Sequence, residues 1–228
     1  MPPSKLCLIT VAAGDSYVEY ARQLFESARR HLKAADTVDC VMLPGVAGWP
    51  AATMRRYHVI GEHARQLRLK HSYTHIFLCD ADMRFEADVG PEILPAAGLT
   101  ATLHPGYVGA DPSTLPFETN QMSHCYVPAA KRERYFAGGF VGGTARDFLK
   151  LANRIAWRID GDAAREIVPV WHDESALNHC LVATPPAITL SPAYCHPDSD
   201  DWYLGWWPEP YERKLVALDK KPEEREGR

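Results

Sequence analysis

The stretch Thr74-His75-Ile76-Phe77-Leu78-Cys79-Asp80-Ala81-Asp82-Met83 decides how this chain is read. Its apolar run, Ile76 to Cys79, has the length and the β-branched and aromatic character of a strand buried on both faces. The run stops at two carboxylates separated by one small residue. In open α/β sheets ligands sit outside the carboxyl ends of the strands, so Asp80 and Asp82 stand where such a sheet presents chemistry. Residues two apart in an extended segment point to one side. The pair can therefore aim hard oxygen ligands at a divalent cation whose open positions take a diphosphate. The plainer alternative is a pair of turn or cap aspartates closing a core strand.

Upstream of this stretch the pattern is β-α-β-α-β. Leu6 to Val11 reads as a first buried strand, and Ala12-Ala13-Gly14 allows close backbone approach at its end. Ser16 and Glu19 have the spacing of a capping box. They open a helix with Tyr17, Ala21, Leu24, Phe25, Ala28 and Leu32 on one face. Val38 to Leu43 is a second strand, closed by Pro44-Gly45. A second helix begins near Thr53 and carries Tyr57, Ile60, Ala64 and Leu67. The strand ending in Asp80 follows, completing a nucleotide-binding half-sheet by pattern. No G-x-G-x-x-G or Walker motif occurs, so the phosphates of a bound nucleotide need another counter-charge. A metal on Asp80 and Asp82 supplies it.

Downstream the pattern is mixed. Leu99 to His104 is a strand, and the stretch from Asp111 to Gln121 is irregular and polar. Gly138 to Gly143 is either a tight turn between strand and helix or a place where missing side chains admit a ligand. Thr144-Ala145-Arg146-Asp147 starts a helix bearing Phe148, Leu151 and Ile155. Trp171-His172-Asp173-Glu174-Ser175 precedes another apolar stripe. Its adjacent carboxylates suit the positive end of a helix dipole. They also suit a sugar: one carboxylate on a hydroxyl, the other facing a reacting carbon, with an indole covering the C–H face. His104 is either a satisfied core histidine or a ligand contact. Arg55 and Arg56, one on each side of a helix turn, are either solvated or paired charges, or one of them faces a diphosphate. Lys220 and Lys221 are surface charge or a basic tail closing over that diphosphate.

Composition bounds these readings. The chain has 228 residues and is 46% apolar, enough for a full core. Net charge is −4 with no basic stripe, which argues against nucleic acid as a partner. Six dispersed cysteines form no C-x-x-C pair, so they read as reduced core residues rather than a zinc or redox site. Leu6 to Ala13 is too short to cross a bilayer or act as a signal peptide, and no transmembrane segment is expected. The expectation is a soluble, cytoplasmic protein, with peripheral membrane association left open. It is one domain over 1–228: a nucleotide-binding half (1–83), a donor-sugar and acceptor part (84–215) and a mobile tail (216–228).

A longer set of co-linear motifs adds a resemblance. They are Trp49…Met54-Arg55-Arg56, Asp80-Ala81-Asp82-Met83-Arg84-Phe85…Val89-Gly90…Glu92-Ile93-Leu94, Thr102-Leu103-His104-Pro105-Gly106, and Tyr126-Val127-Pro128. Tyr135 to Gly143, Trp171 to Ser175 with Leu177-Asn178, Ser191-Pro192 with Tyr194, and Leu204-Gly205-Trp206 complete the set. Together they resemble glycosyltransferase family 6, in a soluble bacterial-type form without the membrane anchor of the animal enzymes.

The resemblance implies an α/β GT-A fold and a retaining transfer of N-acetylgalactosamine (GalNAc) or galactose. The donor is the UDP-sugar, the acceptor a galactoside-type glycan, and the new linkage α-1,3. By the match, Asp80 and Asp82 hold Mn²⁺, with Mg²⁺ as a substitute, against the diphosphate, and Ala81 lies with them at the donor. Ala12, Ala13, Gly14 and Tyr17 surround the uridine, and Arg56 lies near the donor. Ala137, Gly138 and Gly139 select the donor sugar, their small size leaning toward GalNAc. Asp173 contacts that sugar, and Glu174 is the catalytic carboxylate at the reacting face, reached also by the acceptor. His104 and Trp171 touch the acceptor, and Lys220 or Lys221 meets the diphosphate. Two other readings stay open: a haloacid-dehalogenase-like phosphotransferase with Asp80 as nucleophile, and a sugar-binding module without turnover.

Overall fold

The computed structural model describes residues 3–198 and 212–219. The chain begins with β1 (Lys5–Ala12), α1 (Asp15–His31) and β2 (Thr37–Pro44). Three short helices follow, α2 (Ala51–Met54), α3 (Arg56–Gln66) and α4 (Leu69–Ser72), and lead into β3 (His75–Cys79) and β4 (Met83–Phe85). The second half runs β5 (Leu99–Leu103), β6 (Phe136–Thr144), α5 (Ala145–Ala163), α6 (His172–Ala183), β7 (Ile188–Leu190), β8 (His196–Pro197) and β9 (Leu215–Ala217).

The described strands make a six-stranded sheet in the order β2-β1-β3-β6-β5-β7. β1 pairs in parallel with both β2 and β3, β6 runs antiparallel to β3 and β5, and β7 is parallel to β5. This is the mixed, mostly parallel α/β sheet expected of a GT-A protein. The period-2 alternation of strands divides the core between two faces. Cys7, Ile9, Ile76 and Leu78 point to a cluster built with α3, α5 and α6. Leu6, Leu8, Phe77 and Cys79 point to the other, built with α1, β4 and β9. Asp80 continues the parity of Ile76 and Leu78, toward the face carrying α3 and α6.

Four local expectations need correction. The first helix starts at Asp15 behind Gly14 (φ 78), with no side-chain cap, so Ser16 lies inside it. The Glu19 carboxylate is taken by Arg22 and Gln23 instead of closing a capping box. The single helix expected from Thr53 is broken at Arg55 and again near Arg68 (φ 51). The glycine run is no turn: it lies within β6, a nine-residue strand buried along eight positions. A Cβ on Gly142 would drive into the Phe77 ring of the neighbouring strand, so packing explains that glycine. Finally, Val216 and Ala217, assigned to a mobile tail, are paired in β9 against Arg84 and Met83.

Candidate active site

Asp80, Ala81 and Asp82 form a turn, closed by the Met83 N–H donating to the Asp80 carbonyl at 3.1 Å. The two carboxylates thus share a cavity because the chain turns, not because it stays extended. The turn is fixed from both sides. The Asp80 N–H donates to the Gly139 carbonyl at 2.9 Å, and the Leu218 N–H donates to the Asp82 carbonyl at 2.8 Å.

The cavity measures about 460 Å³. Val11, Ala13, Gly14 and Tyr17 from the end of β1 and start of α1 line it, with Asp80, Ala81 and Asp82. The loop after β2 contributes Gly45 to Trp49, α2 gives Ala52 and Thr53, and Arg56, Trp171 and His172 complete the wall. Ala12 stands behind this lining, buried against Ala21 and Ala81. Trp49 meets the His172 ring edge-to-face at 4.6 Å, closing one side.

Arg56 ties the cavity to the rest of the site. The break at Arg55 sends Arg55 outward, 3.5 Å from exposed Asp160, while Arg56 opens α3 and turns inward. Its Nη1 donates to the Asp80 carboxylate and its Nε to the Asp173 carboxylate. Its Nη2 donates to the Gly138 carbonyl at 3.3 Å. The Arg56 side chain is 11% exposed and that of Asp173 4%, so the pair is largely removed from water. Burial works against the Arg56 cation, but Asp173 and Asp80 outweigh it and hold the guanidinium protonated. Burial pushes the Asp173 carboxyl up, with Arg56 pulling the other way.

A bulge in β6 brings backbone into this site. Between Ala101 and Thr102 of β5 the register on β6 jumps from Val141 to Ala137, leaving Gly138, Gly139 and Phe140 unmatched. Gly138 N–H donates to Glu174 Oε2 at 2.8 Å. A Cβ on Gly138 would come within 2.6 Å of Arg56 Nη2 and 3.4 Å of Glu174 Oε2, and one on Gly139 within 3.8 Å of Asp80 Oδ2. Asp80 and Glu174 therefore flank the same glycine pair. Both glycines sit close to protein side chains, Gly138 to Arg56 and Gly139 to Cys195, and Ala137 faces the core cluster around Phe140, so their small size does not by itself speak for a donor sugar.

Asp173 and Glu174 occupy the first turn of α6. Burial pushes the Glu174 carboxyl up to about 7, partly opposed by the Gly138 N–H. Beyond Glu174 lies an aromatic group: His104 sits 4.7 Å from Tyr107 and 5.9 Å from Tyr135, ring to ring. His104 Nδ1 accepts from the Gly106 N–H, and burial lowers its pKa to about 4, so it is neutral with a proton on Nε2. Lys220 and Lys221 lie outside the described residues. Val46, Trp49, Thr53 and His172 were not singled out from the sequence as site residues. For Val46, Trp49 and Thr53 the signal is their position in and after the loop at the carboxyl end of β2; for His172 it is its place between Trp171 and Asp173 at the start of α6.

Comparison with known proteins gives a consistent picture. The model of the family described as Glycosyltransferase family 6 matches residues 29–204. The chain is 31% identical to histo-blood group ABO system transferase 1 of Rattus norvegicus, over 93% of this chain and 66% of that protein. It is 28% identical to globoside alpha-1,3-N-acetylgalactosaminyltransferase 1 of Homo sapiens, over 79% of this chain and 50% of that one. It is 26% identical to the O-antigen biosynthesis glycosyltransferase WbnI of Escherichia coli, over 77% and 70%. The chain thus spans about two-thirds of the length of the rat relative and half that of the human one.

Proposed function

The chain belongs to glycosyltransferase family 6, and from that premise we propose that it moves GalNAc or galactose from a UDP-sugar to a galactoside-type glycan, forming an α-1,3 linkage with retention. The observation that carries this reading is the placement of Asp80 and Glu174 on either side of Gly138-Gly139, joined through Arg56 and Asp173. The name of the human relative supports the linkage and one of the two sugars.

The residues present suit a divalent cation. Asp80 and Asp82 are hard oxygen donors on a turn beside a cavity, and no described group of three or more ligating side chains closes around them. Such a site suits Mn²⁺ or Mg²⁺ that completes its shell with diphosphate and water. When bound, the cation supplies positive charge to the departing diphosphate.

The chain's own groups do the rest. Ala13, Gly14 and Tyr17 offer a shallow, mostly apolar wall for the uridine. Asp173, oriented by Arg56, accepts a hydrogen bond from a sugar hydroxyl. The bond from the anomeric carbon to the diphosphate oxygen breaks with its electron pair leaving on UDP. The ionised Glu174 carboxylate stabilises the oxocarbenium-like carbon from the far face, and the acceptor hydroxyl adds on the face the diphosphate leaves, its proton passing to the departing diphosphate oxygen. His104 Nε2–H and the Trp171 indole face offer the acceptor a donor and an apolar surface.

A glycan array incubated with UDP-GalNAc or UDP-galactose and Mn²⁺ tests the reading. The expected result is sugar transfer with release of UDP, lost in EDTA and restored by Mn²⁺. Release of inorganic phosphate would favour a phosphotransferase, binding without turnover a sugar-binding module, and full activity in EDTA would remove the metal.

A further inference from the structure

Tyr135 is 2% exposed, and its hydroxyl is buried with no hydrogen-bond partner of good geometry. A buried hydroxyl without a partner costs stability, and phenylalanine in the same place would not incur that cost. Its ring is wedged edge-on among His104, Tyr107 and Phe117, with centroids 5.2–5.9 Å away. Its backbone carbonyl accepts from the His104 N–H at 3.0 Å. The ring therefore has little freedom, and the hydroxyl is aimed by packing. Among ionisable neighbours Glu174 acts on this hydroxyl most strongly, ahead of Tyr107 and Asp173.

We propose that Tyr135 is a positioning residue for the Glu174 carboxylate, its hydroxyl donating to Glu174 when that group is ionised and a sugar is bound. This rests on the reading of Glu174 given above. Gly138 N–H already holds Oε2 from the β6 side. A second donor from Tyr135 would fix the carboxylate plane against the reacting face, at the cost of an idle hydroxyl in the resting protein. Burial keeps the Tyr135 phenol far above its usual range, so it serves only as a donor.

The test is Tyr135→Phe measured beside Glu174→Gln and Tyr107→Phe in the full chain with Mn²⁺ and UDP-sugar. Tyr135→Phe is expected to unfold no earlier than the wild type, because it removes an unsatisfied buried group. Its kcat is expected to fall about tenfold, the value of one charge-assisted hydrogen bond. The KM for UDP-sugar should stay within about twofold, because donor binding does not use the hydroxyl. The acid limb of kcat/KM should move to higher pH, since a donor to the ionised form has been lost. In the Glu174→Gln background the same change should cost almost nothing further. An unchanged kcat and acid limb in Tyr135→Phe, with Glu174→Gln inactive, would overturn the proposal while leaving Glu174 in place. An equal shift in Tyr107→Phe would also overturn it, assigning the effect to the aromatic cluster. Near-normal turnover in Glu174→Gln would instead remove the reading on which the proposal stands. Should Tyr135→Phe melt early, the acid limb of a protein carrying 3-fluorotyrosine decides: a shift toward lower pH, from a stronger donor, supports the proposal and no shift overturns it.

Discussion

Glu174 is a carboxylate held in conflict. Burial favours its neutral form, while a backbone N–H from Gly138 favours the charged one, and the balance lies near pH 7. An unfolded chain would titrate it near 4.5. The folded protein holds this proton more tightly, so the stability it contributes is complete below about pH 4.5 and is lost as pH rises through about 7. Glu174→Gln cannot ionise. Its unfolding midpoint should therefore fall less than that of the wild type between pH 5 and pH 8, a difference that thermal melts at the two pH values read directly. The same variant should lose about 10³-fold in turnover if the charge stabilises the transition state, while UDP binding by calorimetry changes little. Arg56 is the other residue whose chemistry is specific. One planar fork serves Asp80, Asp173 and the Gly138 carbonyl. Arg56→Gln strands a buried carboxylate and is expected to cost about 3–5 kcal/mol of stability by urea denaturation. Arg56→Lys should recover only part of this, because an ammonium cannot present the fork.

Among the elements, β6 does what no single motif announces. It is a central strand flanked by β3 and β5, yet it carries four glycines among nine residues. Each answers to a neighbour: Gly142 to Phe77, Gly143 to Gly98 and Leu99, Gly138 to Arg56, Gly139 to Cys195. The bulge then aims Gly138 at Glu174 and Gly139 at Asp80. α6 is held to the same strand by Asn178. Its side-chain oxygen accepts from the Phe136 N–H, and its amide donates to the Phe136 carbonyl, both at 2.8 Å. That buried side chain completes backbone bonding where the sheet ladder is missing. Asn178→Ala leaves both Phe136 groups unpaired in the interior and is expected to cost about 2–4 kcal/mol in denaturant unfolding. It should also lower kcat more than Arg55→Ala, since the first turn of α6 carries Asp173 and Glu174 while Arg55 faces outward.

Across the whole molecule the site is a seam. The β1, β2 and β3 ends and the helix starts beside them line the cavity that the proposed function gives to the nucleotide. β6, α6 and the His104–Tyr107–Tyr135 group form the other side. Arg56 and the glycine pair are the join. The small sheet of β4, β9 and β8 adds a brace, because β9 pairs with the three residues that follow Asp82. A ligand lodged in such a seam contacts both sides only in the folded state. UDP with Mn²⁺ is expected to raise the melting temperature with the logarithm of its concentration above Kd, by several degrees at about a hundredfold excess over Kd. UDP in EDTA should raise it much less if the cation carries the diphosphate contact, and an equal rise in both conditions would contradict that role.

The apolar strands, the half-sheet order and the ends where ligands gather are written in local pattern, because burial on two faces demands runs such as Leu6 to Val11 and Ile76 to Cys79. The Asp80–Asp82 pair, the Asp173–Glu174 pair and the family motifs are equally local, and the chain alone picked them out. Pattern could not see that Arg56, 24 residues before Asp80 and 117 before Asp173, would bridge them. Nor could it see that the glycine run is a bulged central strand, or that Tyr135 keeps its hydroxyl beside Glu174. Those depend on contacts between elements distant in sequence, where the identity of a partner is settled by packing and by the cost of burying charge unpaired. Periodicity reports which face of an element is buried; only tertiary structure decides what it is buried against.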